Sequence, residues 1–405
     1  MKITCVGGGP AGLYFSVLMK LRDASHDITV HERNPEGSTY GWGVTYWAGL
    51  LDSLRGADEV SAREILRQSA PWSDGVAHVH GRTTTHRGDT GFGIGRRQLL
   101  GILAERARSL GVRVEFGREV GADTLGAADL VVAADGAGST LRTRHAQHFG
   151  TDVVPGRNTY VWLGTSKVFD AFTFAFEETE HGWIWCYGYK FSEERSTFVV
   201  ECSPLTWAGL GLDRLGESGT LELLERLFAK PLDGHPLIGR AQPDRPAQWQ
   251  RFRTVTNRTW HRGNTVLLGD AAHTTHYSIG AGTTLALEDA LALAEALDGT
   301  AGRAAELPAA FARYERARKS ALLPAQSAAR YSAQWYENLS RYVQLPAEQM
   351  FALLGQRHSP LLPHVPPRLY YRVDRAIERS GTLRHLKRHL GPHLARVLQG
   401  ARARR

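Results

Sequence analysis

Cysteine and long apolar runs are scarce in this chain of 405 residues, and their scarcity excludes several classes of protein. The three cysteines, Cys5, Cys186 and Cys202, form no CxxC pair. Three thiols cannot all be bridged, so we expect reduced cysteines, no disulfide framework and no metal site. No apolar run is long enough to cross a bilayer, and the first residues lack the apolar core of a signal peptide. We therefore expect a cytoplasmic protein without a membrane partner.

Acidic residues are absent from the C-terminal tail, residues 381–405, and this accounts for the basic character of the chain. The formal net charge is +8 at pH 7, and seven Lys or Arg of the tail leave +1 for the rest. A nucleic-acid binder needs basic residues on its folded body, so nucleic acid is not an expected partner. Leucines at helical spacing in the tail favour a helix packed on the body, and contact with a phosphate-bearing or acidic partner is the alternative.

The stretch GGGPAG near the N-terminus predicts a dinucleotide site. Gly7, Gly9 and Gly12 fit GxGxxG between a strand-like run at residues 2–6 and a helix-like run. These glycines permit a tight turn, close approach of the backbone to a pyrophosphate, and close packing of the helix on the strand. Glu32 ends the next strand-like run, where an acid binds a ribose 2′-hydroxyl. Because an acid there repels a 2′-phosphate, the pattern indicates the ADP half of FAD or NAD.

Three charged side chains stand at further element ends. Arg96 begins a helix-like run, where the helix dipole disfavours a cation unless an anion such as a pyrophosphate lies nearby. A solvated surface arginine is the alternative. Asp135 and Asp270 each follow a buried strand-like run. Carboxylates in that position point into the crevice where α/β folds bind their ligands.

Between about residues 151 and 261 the pattern changes to short alternating strands, which predicts an antiparallel sheet with one helix over Leu221–Phe228. The predicted strands are Thr159–Leu163, Phe172–Glu177, Gly182–Lys190 and Ser196–Cys202. Within the third strand, period two places Trp183, Trp185, Tyr187 and Tyr189 on one face. This row is a candidate wall for a planar substrate. Ordinary sheet packing is the alternative.

The motifs occur in one order along the chain: GGGPAG with Glu32, Arg96-x-x-Leu99, Asp135-Gly136 and Gly269-Asp270-Ala-Ala-His273. Together they resemble the FAD-dependent aromatic monooxygenases typified by para-hydroxybenzoate hydroxylase, over residues 1 to about 345. The resemblance implies an enzyme that reduces FAD with transiently bound NAD(P)H and binds O2. It then passes one oxygen atom from a flavin C4a-hydroperoxide to an electron-rich ring.

The resemblance also implies roles for single residues. Glu32 would bind the adenosine ribose, Arg96 would lie near the pyrophosphate, and Asp270 would bind the ribityl chain. Asp135 belongs to a motif that the family uses for FAD and reduced nicotinamide. Further cofactor contacts are expected at Gly7, Gly9, Pro10, Ala11, Gly12, Arg33, Gly43, Val44, Gly280, Gly282 and Thr283. A helix from Thr283 would point its positive end at the flavin's pyrimidine edge.

Two strings, GWGV at 41–44 and HYSIGAGTT at 276–284, indicate a narrower branch. They resemble the branch that contains salicylyl-CoA 5-hydroxylase, anthraniloyl-CoA monooxygenase and the violacein-pathway tryptophan hydroxylase. Where the broader family usually places prolines beside the flavin, this chain has His276 and Tyr277, the candidate catalytic residues. The imidazole would hydrogen-bond the hydroperoxide or accept a phenol proton, and a packing role is the alternative. We expect His273 to be structural.

The expected fold class is α/β, with a Rossmann-like FAD-binding domain interleaved with an antiparallel-sheet substrate domain and followed by C-terminal helices. The FAD-binding domain is assigned to residues 1–75, 90–150 and 262–345. The substrate domain is assigned to 76–89 and 151–261, with Trp183, Trp185 and Tyr187 as candidate substrate contacts. A helical extension with the basic tail follows over 346–405.

The expected function is hydroxylation of an activated aromatic ring, with a CoA-thioester-linked acid as the favoured substrate. The phosphates of such a thioester would meet arginines of the tail or Arg82 and Arg87. A free indole or tryptophan-type substrate is the alternative within the enzyme class. A non-catalytic flavin-binding or escort protein is the alternative of another class, and the intact motifs at Asp135 and Asp270 disfavour it. The sequence leaves the oligomeric state open, a homodimer included.

Overall fold

A computed structural model describes residues 1–38, 41–121, 125, 128–240, 247–300 and 304–379. The strands are β1 (Lys2–Val6), β2 (Asp27–Glu32), β3 (Gly43–Trp47), β4 (Ala70–Val79), β5 (Arg82–Gly95), β6 (Arg113–Phe116), β7 (Leu130–Ala133), β8 (Thr151–Thr165), β9 (Phe172–Thr179), β10 (Gly182–Lys190), β11 (Ser196–Cys202), β12 (Leu237–Ile238), β13 (Gln250–Asn257), β14 (His261–Arg262) and β15 (Thr265–Leu267). The helices are α1 (Pro10–Arg22), α2 (Ala48–Ala57), α3 (Glu59–Arg67), α4 (Arg96–Ser109), α5 (Thr140–Arg144), α6 (Ala146–Phe149), α7 (Pro204–Gly209), α8 (Glu217–Leu227), α9 (Ala229–Leu232), α10 (Gly282–Ala296), α11 (Leu307–Glu337), α12 (Ser340–Val343), α13 (Ala347–Gly355) and α14 (Pro367–Arg379).

The first sheet brings the dinucleotide motifs to one edge. Its strand order is β14-β15-β7-β1-β2-β6, and all neighbours are parallel except β14 and β15. Strands β1 and β7 are apolar runs because parallel strands with covered faces bury both sides. The carboxyl ends of β1, β7 and β15 are adjacent, so the residues that follow them meet at one crevice.

The second sheet has nine strands and is mixed, which corrects the expectation of an antiparallel sheet. Strand β4 pairs with β9 in parallel, with Gly75 opposite Phe172, and the other described pairings are antiparallel. No hairpin joins β4 to β9, because β5 and several strands of the first sheet lie between them in the chain, so no tight turn imposes an antiparallel direction. The sheet also begins earlier than residue 76, since β3 and all of β4 belong to it.

Successive residues on the strands of the second sheet point to opposite faces, and both faces are buried. Trp185, Tyr187 and Val199 pack with the C-terminal helices, whereas Cys186 and Phe198 pack on the opposite side around α8. The largest apolar core lies around the first sheet and its helices. All three cysteines are buried free thiols.

Helices α11 to α14 cover the second sheet and continue the chain beyond residue 345. The basic tail, for which a helix was predicted, lies outside the described residues. Within the described ranges no helix combines the length and apolarity needed to cross a membrane.

Candidate functional site

The turn after β1 leaves an open space above the start of α1. Gly7 has φ +109°, and a Cβ at Gly7 would lie 2.2 Å from the Ala134 carbonyl oxygen. A Cβ at Gly12 would lie 2.2 Å from the Gly7 carbonyl oxygen. Helix α1 therefore packs so closely on the turn after β1 that only glycine leaves enough space at this position. A Cβ at Gly9 would meet no protein atom within 4 Å. The space over Gly9, at the amino end of α1, suits a pyrophosphate.

Glu32 is held in place by the backbone around it. Its Oε2 accepts a hydrogen bond from the Gly8 amide at 2.8 Å, and its Oε1 accepts from the Asn34 amide at 2.9 Å. Glu32 and Arg33 line a cavity of about 420 Å³ that extends to Asp135. The carboxylate therefore stands where a ribose hydroxyl would donate to it.

The cavity beside Glu32 continues into a second cavity of about 520 Å³, and together they form one groove. The residues shared by both parts are Gly9, Arg96, Ala134, Gly136, Tyr160, Trp162 and Asp270. Of the fifteen cofactor residues predicted from the sequence, thirteen line the groove. Gly12 and Gly43 do not. Gly43 packs against Phe191, where a Cβ would approach to 2.5 Å, and its carbonyl accepts a hydrogen bond from Tyr189.

Acidic and basic groups face each other in the middle of the groove. Asp135 Oδ2 accepts from the Thr140 amide at 2.8 Å, whereas its buried Oδ1 accepts no hydrogen bond from the described residues. Asp270 is open to the groove, but the protein that encloses it raises its pKa, and the charges of His273 and Arg96 oppose that rise. The carboxylates of Asp135 and Asp270 can accept hydrogen bonds from the hydroxyl groups of a ligand, and the nearby Arg96 can donate to its phosphates.

The far end of the groove is built from β3 and the turn before α10. Gly280 has φ +63°, and a Cβ there would lie 2.7 Å from Thr45 Oγ1, so only glycine fits. Val44, Gly282 and Thr283 line the same part of the groove. The amino end of α10 therefore faces it with free amide groups.

The aromatic row on β10 divides between the cavity and the C-terminal helices. Tyr187 and Tyr189 line the larger cavity. Trp185 instead stacks on Tyr336 of α11, with ring centroids 5.7 Å apart, and Trp183 packs edge-on against His80. Helix α11 thus covers Trp185, and His80 packs against Trp183. The structure brings only Tyr187 of the three predicted substrate contacts to the cavity.

Of the two candidate catalytic residues, only Tyr277 lines the cavity. The His276 ring lies behind it, stacked on Tyr277 at 4.3 Å and against Phe252 at 5.0 Å. Its Nδ1 lies 2.9 Å from Ser278 Oγ, and burial lowers its pKa to about 3, so the imidazole is neutral near pH 7. This position corresponds to the packing alternative for His276, because the neutral ring supports Tyr277 from behind.

Sequence reasoning missed two polar residues, one that lies directly behind the wall of the larger cavity and one that lines it. Glu201 is 1% exposed, and its Oε2 accepts a hydrogen bond from the Tyr277 hydroxyl at 2.7 Å. The sequence does contain an indication of this residue, because Glu201 is the single acid in the otherwise uncharged strand STFVVEC. Arg357 lines the cavity from the segment after α13, and its guanidinium donates to the Ser278 carbonyl at 3.1 Å. No motif marks Arg357, and the motifs that carried the family resemblance all lie before it.

Burial raises the pKa of Glu201 to about 7, against hydrogen bonds from Tyr277 and Asn158 that lower it. The folded chain therefore holds a proton between about pH 4.5 and 7 that the unfolded chain has released. This contribution to stability is complete below about pH 4.5 and is lost as the pH rises through about 7. Glu201→Gln should lack this loss, which is about 3 kcal/mol for the wild type between pH 4.5 and 8.

Urea unfolding of both apoproteins at several pH values between 4.5 and 8 measures this difference. We expect the free energy of unfolding of the wild type to fall relative to that of the Gln variant as the pH rises. Parallel curves for the two proteins would contradict the raised pKa.

A buried ionic network lies directly beneath the groove. His273 Nε2 is 2.8 Å from Asp289 Oδ2, and Arg318 Nε donates to Asp289 Oδ1 at 2.6 Å. Trp260 stacks on the His273 ring at 5.2 Å. The network joins the turn after β15 to helices α10 and α11, and this geometry fits the structural role expected for His273. Within the described ranges no three His, Cys, Asp or Glu residues converge as a metal site would require.

Comparison with known proteins agrees with this geometry. Residues 1–322 match the family described as FAD binding domain. The chain is 38% identical over 352 residues to salicyloyl-CoA 5-hydroxylase from Streptomyces sp, covering 85% of this chain and 66% of that protein. It is 36% identical over 357 residues to 3-hydroxy-4-methyl-anthranilyl-(aryl-carrier protein) 5-monooxygenase from Streptosporangium sibiricum, covering 88% of this chain and 94% of that protein.

Protodeoxyviolaceinate monooxygenase from Chromobacterium violaceum is 32% identical over 392 residues, covering 94% of this chain and 100% of that protein. Among solved structures, 2-methyl-3-hydroxypyridine-5-carboxylic acid oxygenase superposes with a TM-score of 0.65 at 19% identity, over 84% of this chain and 91% of that chain. The structural match confirms the α/β fold. The sequence matches confirm the family and the branch that the motifs indicated.

Proposed function

We propose that the substrate of this chain is an aromatic acid carried as a thioester. The premise is that the chain belongs to the FAD binding domain family and is an FAD-dependent aromatic hydroxylase. Two relatives support the proposal, since their names specify a coenzyme A ester and an aryl group on a carrier protein. The observation that carries the proposal is the larger cavity, about 520 Å³ in volume. Aromatic rings form its walls, and it continues into the cavity beside Glu32.

The groove residues fit FAD by their chemistry. Glu32 would hold the ribose, the amides at Gly9 the pyrophosphate, and Asp270 the ribityl hydroxyls. The amino end of α10 would face the electron-rich edge of the ring system. When bound, FAD accepts a hydride from reduced nicotinamide and activates O2 so that one oxygen atom reaches the substrate ring.

The chain's own residues would orient the substrate in the larger cavity. The rings of Phe172, Phe174 and Tyr187 form a wall on which a planar ring stacks, and such contacts exclude water from it. Arg357 uses three guanidinium donors on the protein, to Ser278, Ser332 and Leu354. Since a guanidinium has five N–H groups, two remain for an acyl or ring oxygen of the substrate.

The test follows the yellow colour of the purified flavoprotein under anaerobic conditions. Reduced nicotinamide is added with salicyloyl-CoA, anthraniloyl-CoA, free salicylate or free tryptophan. We expect salicyloyl-CoA, unlike free salicylate, to accelerate bleaching of the flavin and, in air, to gain one oxygen atom. Acceleration by tryptophan instead would favour an indole substrate. Bleaching that depends on no ligand would contradict the proposal.

Replacement of Arg357 by Met should weaken productive binding of salicyloyl-CoA. Loss of one charge-assisted hydrogen bond costs about 1.5–3 kcal/mol, so we expect KM to rise by about tenfold or more while kcat changes less. Arg368→Met is the matched control, since Arg368 is exposed on α14. Steady-state product formation measures both parameters, and an unchanged KM in the Arg357 variant would remove this residue from the substrate site.

A further inference from the structure

Glu201 is a buried carboxyl group that neutral hydrogen-bond donors hold in place. Its Oε2 accepts from the Tyr277 hydroxyl and its Oε1 accepts from the Asn158 amide, each at 2.7 Å. Among the residues that the structure describes, no Lys, Arg or His forms an ion pair with it. Burying such a group destabilises a protein, so packing alone does not account for an acid on this strand.

Tyr277 connects Glu201 to the larger cavity. Tyr277 lines the cavity and Glu201 does not, and the Tyr277 ring is fixed between Tyr160, at 4.3 Å between ring centroids, and His276. Because the Tyr277 hydroxyl donates its proton to Glu201, its oxygen lone pairs remain to accept a proton from the other side. The pair therefore forms a two-step path for one proton from the cavity into the protein interior.

We propose that Glu201, acting through Tyr277, accepts the proton of a ring hydroxyl, so that this protein selects rings with a hydroxyl group over rings that carry only an amino group. The inference rests on the proposed function, because it concerns the ring that enters the same cavity. It narrows the substrate class to hydroxyarenes. Both salicyloyl and 3-hydroxy-anthranilyl groups belong to this class, whereas an unsubstituted anthraniloyl group does not.

The proton transfer is balanced. The substrate O–H bond breaks as its proton passes to the Tyr277 oxygen, and the proton of Tyr277 passes to the Glu201 carboxylate. The negative charge thus moves to the substrate oxygen, which enriches the ring carbons that the electrophilic oxygen atom attacks. The ring then releases its C–H proton to solvent and recovers aromaticity, and Glu201 returns its proton through Tyr277 to the ring oxygen. An arylamine N–H is too weak an acid to make this transfer.

The groups around Glu201 determine how the pair titrates. The titratable side chains that face it are Tyr160 on β8, Tyr187 on β10, Cys202 on β11, Tyr277 on the turn before α10, and Tyr336 and Glu337 on α11. Burial raises the pKa of Glu201 to about 7, and the charge of Glu337 adds to the rise. Because the carboxylate form accepts the proton, hydroxylation should increase with pH around this value.

The first experiment compares kcat/KM for salicyloyl-CoA and anthraniloyl-CoA in the wild type, Glu201→Gln and Tyr277→Phe. We expect the preference for the hydroxyl-bearing thioester to fall by about 100-fold in both variants, which is a typical contribution of general base catalysis. The double variant should be no worse than either single one, because both residues serve one path. The rise in rate near pH 7 should disappear from Glu201→Gln.

Glu178→Gln is the matched control, since Glu178 is an exposed strand carboxylate in the same sheet. It should keep the wild-type preference and pH profile. A preference and pH profile that persist in Glu201→Gln would overturn the inference, as a merely structural acid predicts. Equal rates for the two thioesters in the wild type would overturn it as well.

A second experiment separates the inference from the proposed function. The probe is 4-cyanophenol, whose ultraviolet absorption changes when its hydroxyl ionises and which is largely un-ionised in water at pH 7.5, bound to the oxidised holoenzyme without nicotinamide. We expect a phenolate band at pH 7.5 in the wild type that is at least about tenfold weaker in Glu201→Gln and Tyr277→Phe at equal occupancy. A band of equal strength in the variants would overturn the inference. Failure of every thioester to be hydroxylated, with this band present, would overturn the thioester proposal alone.

Discussion

Replacement of Gly9 by Val is expected to leave a folded protein that no longer retains FAD. A Cβ at Gly9 would meet no protein atom within 4 Å, so we expect the apoprotein to keep its stability. The new side chain would instead fill the space where the pyrophosphate approaches the amides of α1. Loss of those charge-assisted hydrogen bonds costs about 3 kcal/mol or more, which corresponds to a Kd for FAD at least about 100-fold higher.

Two other glycine substitutions make the result specific. Gly101→Val places the same side chain in open space on α4, away from the groove, and should retain FAD. Gly12→Val places a Cβ 2.2 Å from the Gly7 carbonyl, so it should lower the stability of the apoprotein as well as FAD binding. Fluorescence titration with FAD and urea unfolding of the three apoproteins distinguish these cases. Wild-type affinity in Gly9→Val would show that the pyrophosphate does not lie over this turn.

Replacement of Arg318 by Met should lower the free energy of unfolding strongly, because it leaves a buried carboxylate without its cation. Asp289 is fully buried, and its carboxylate is held between His273 and Arg318. Removal of the guanidinium leaves this carboxylate without its closest cation and beside Glu288, the other carboxylate that Arg318 contacts. Breaking a buried ion pair on one side costs about 3–5 kcal/mol, because the remaining charge is uncompensated.

The matched control is Arg316→Met, which makes the same change on the exposed face of α11. Its free energy of unfolding should lie within about 0.5 kcal/mol of the wild type. Urea unfolding of the apoproteins avoids the contribution of bound FAD to stability. An Arg318 variant as stable as the control would mean that the network adds nothing to the fold.

The sequence was sufficient to predict most of the residues that meet at the groove. Gly7, Glu32, Asp135 and Asp270 follow strand ends, and the direction of parallel strands then brings them to one edge without further information. Local spacing also located β11 at Ser196–Cys202, and it located the helix near Leu221, which begins four residues earlier at Glu217.

The substrate half depended on contacts between distant segments, which no local pattern encodes. Period two correctly placed Trp183, Trp185 and Tyr187 on one face, but only the packing of α11 decides which of them the cavity reaches. Likewise, the parallel pairing of β4 with β9 joins strands far apart in the chain. Arg357 enters the cavity from a segment that carries no recognisable motif.

The position of Arg357 separates two functions along the chain. The groups proposed to hold the dinucleotide all lie within residues 1–322, whereas this guanidinium comes from the short stretch after α13. On the proposed function, mutation of that stretch is expected to alter which acyl ring is accepted while the residues proposed to hold the dinucleotide stay unchanged. Exchanging the segment after α13 between homologues should accordingly change ring selectivity without changing FAD binding.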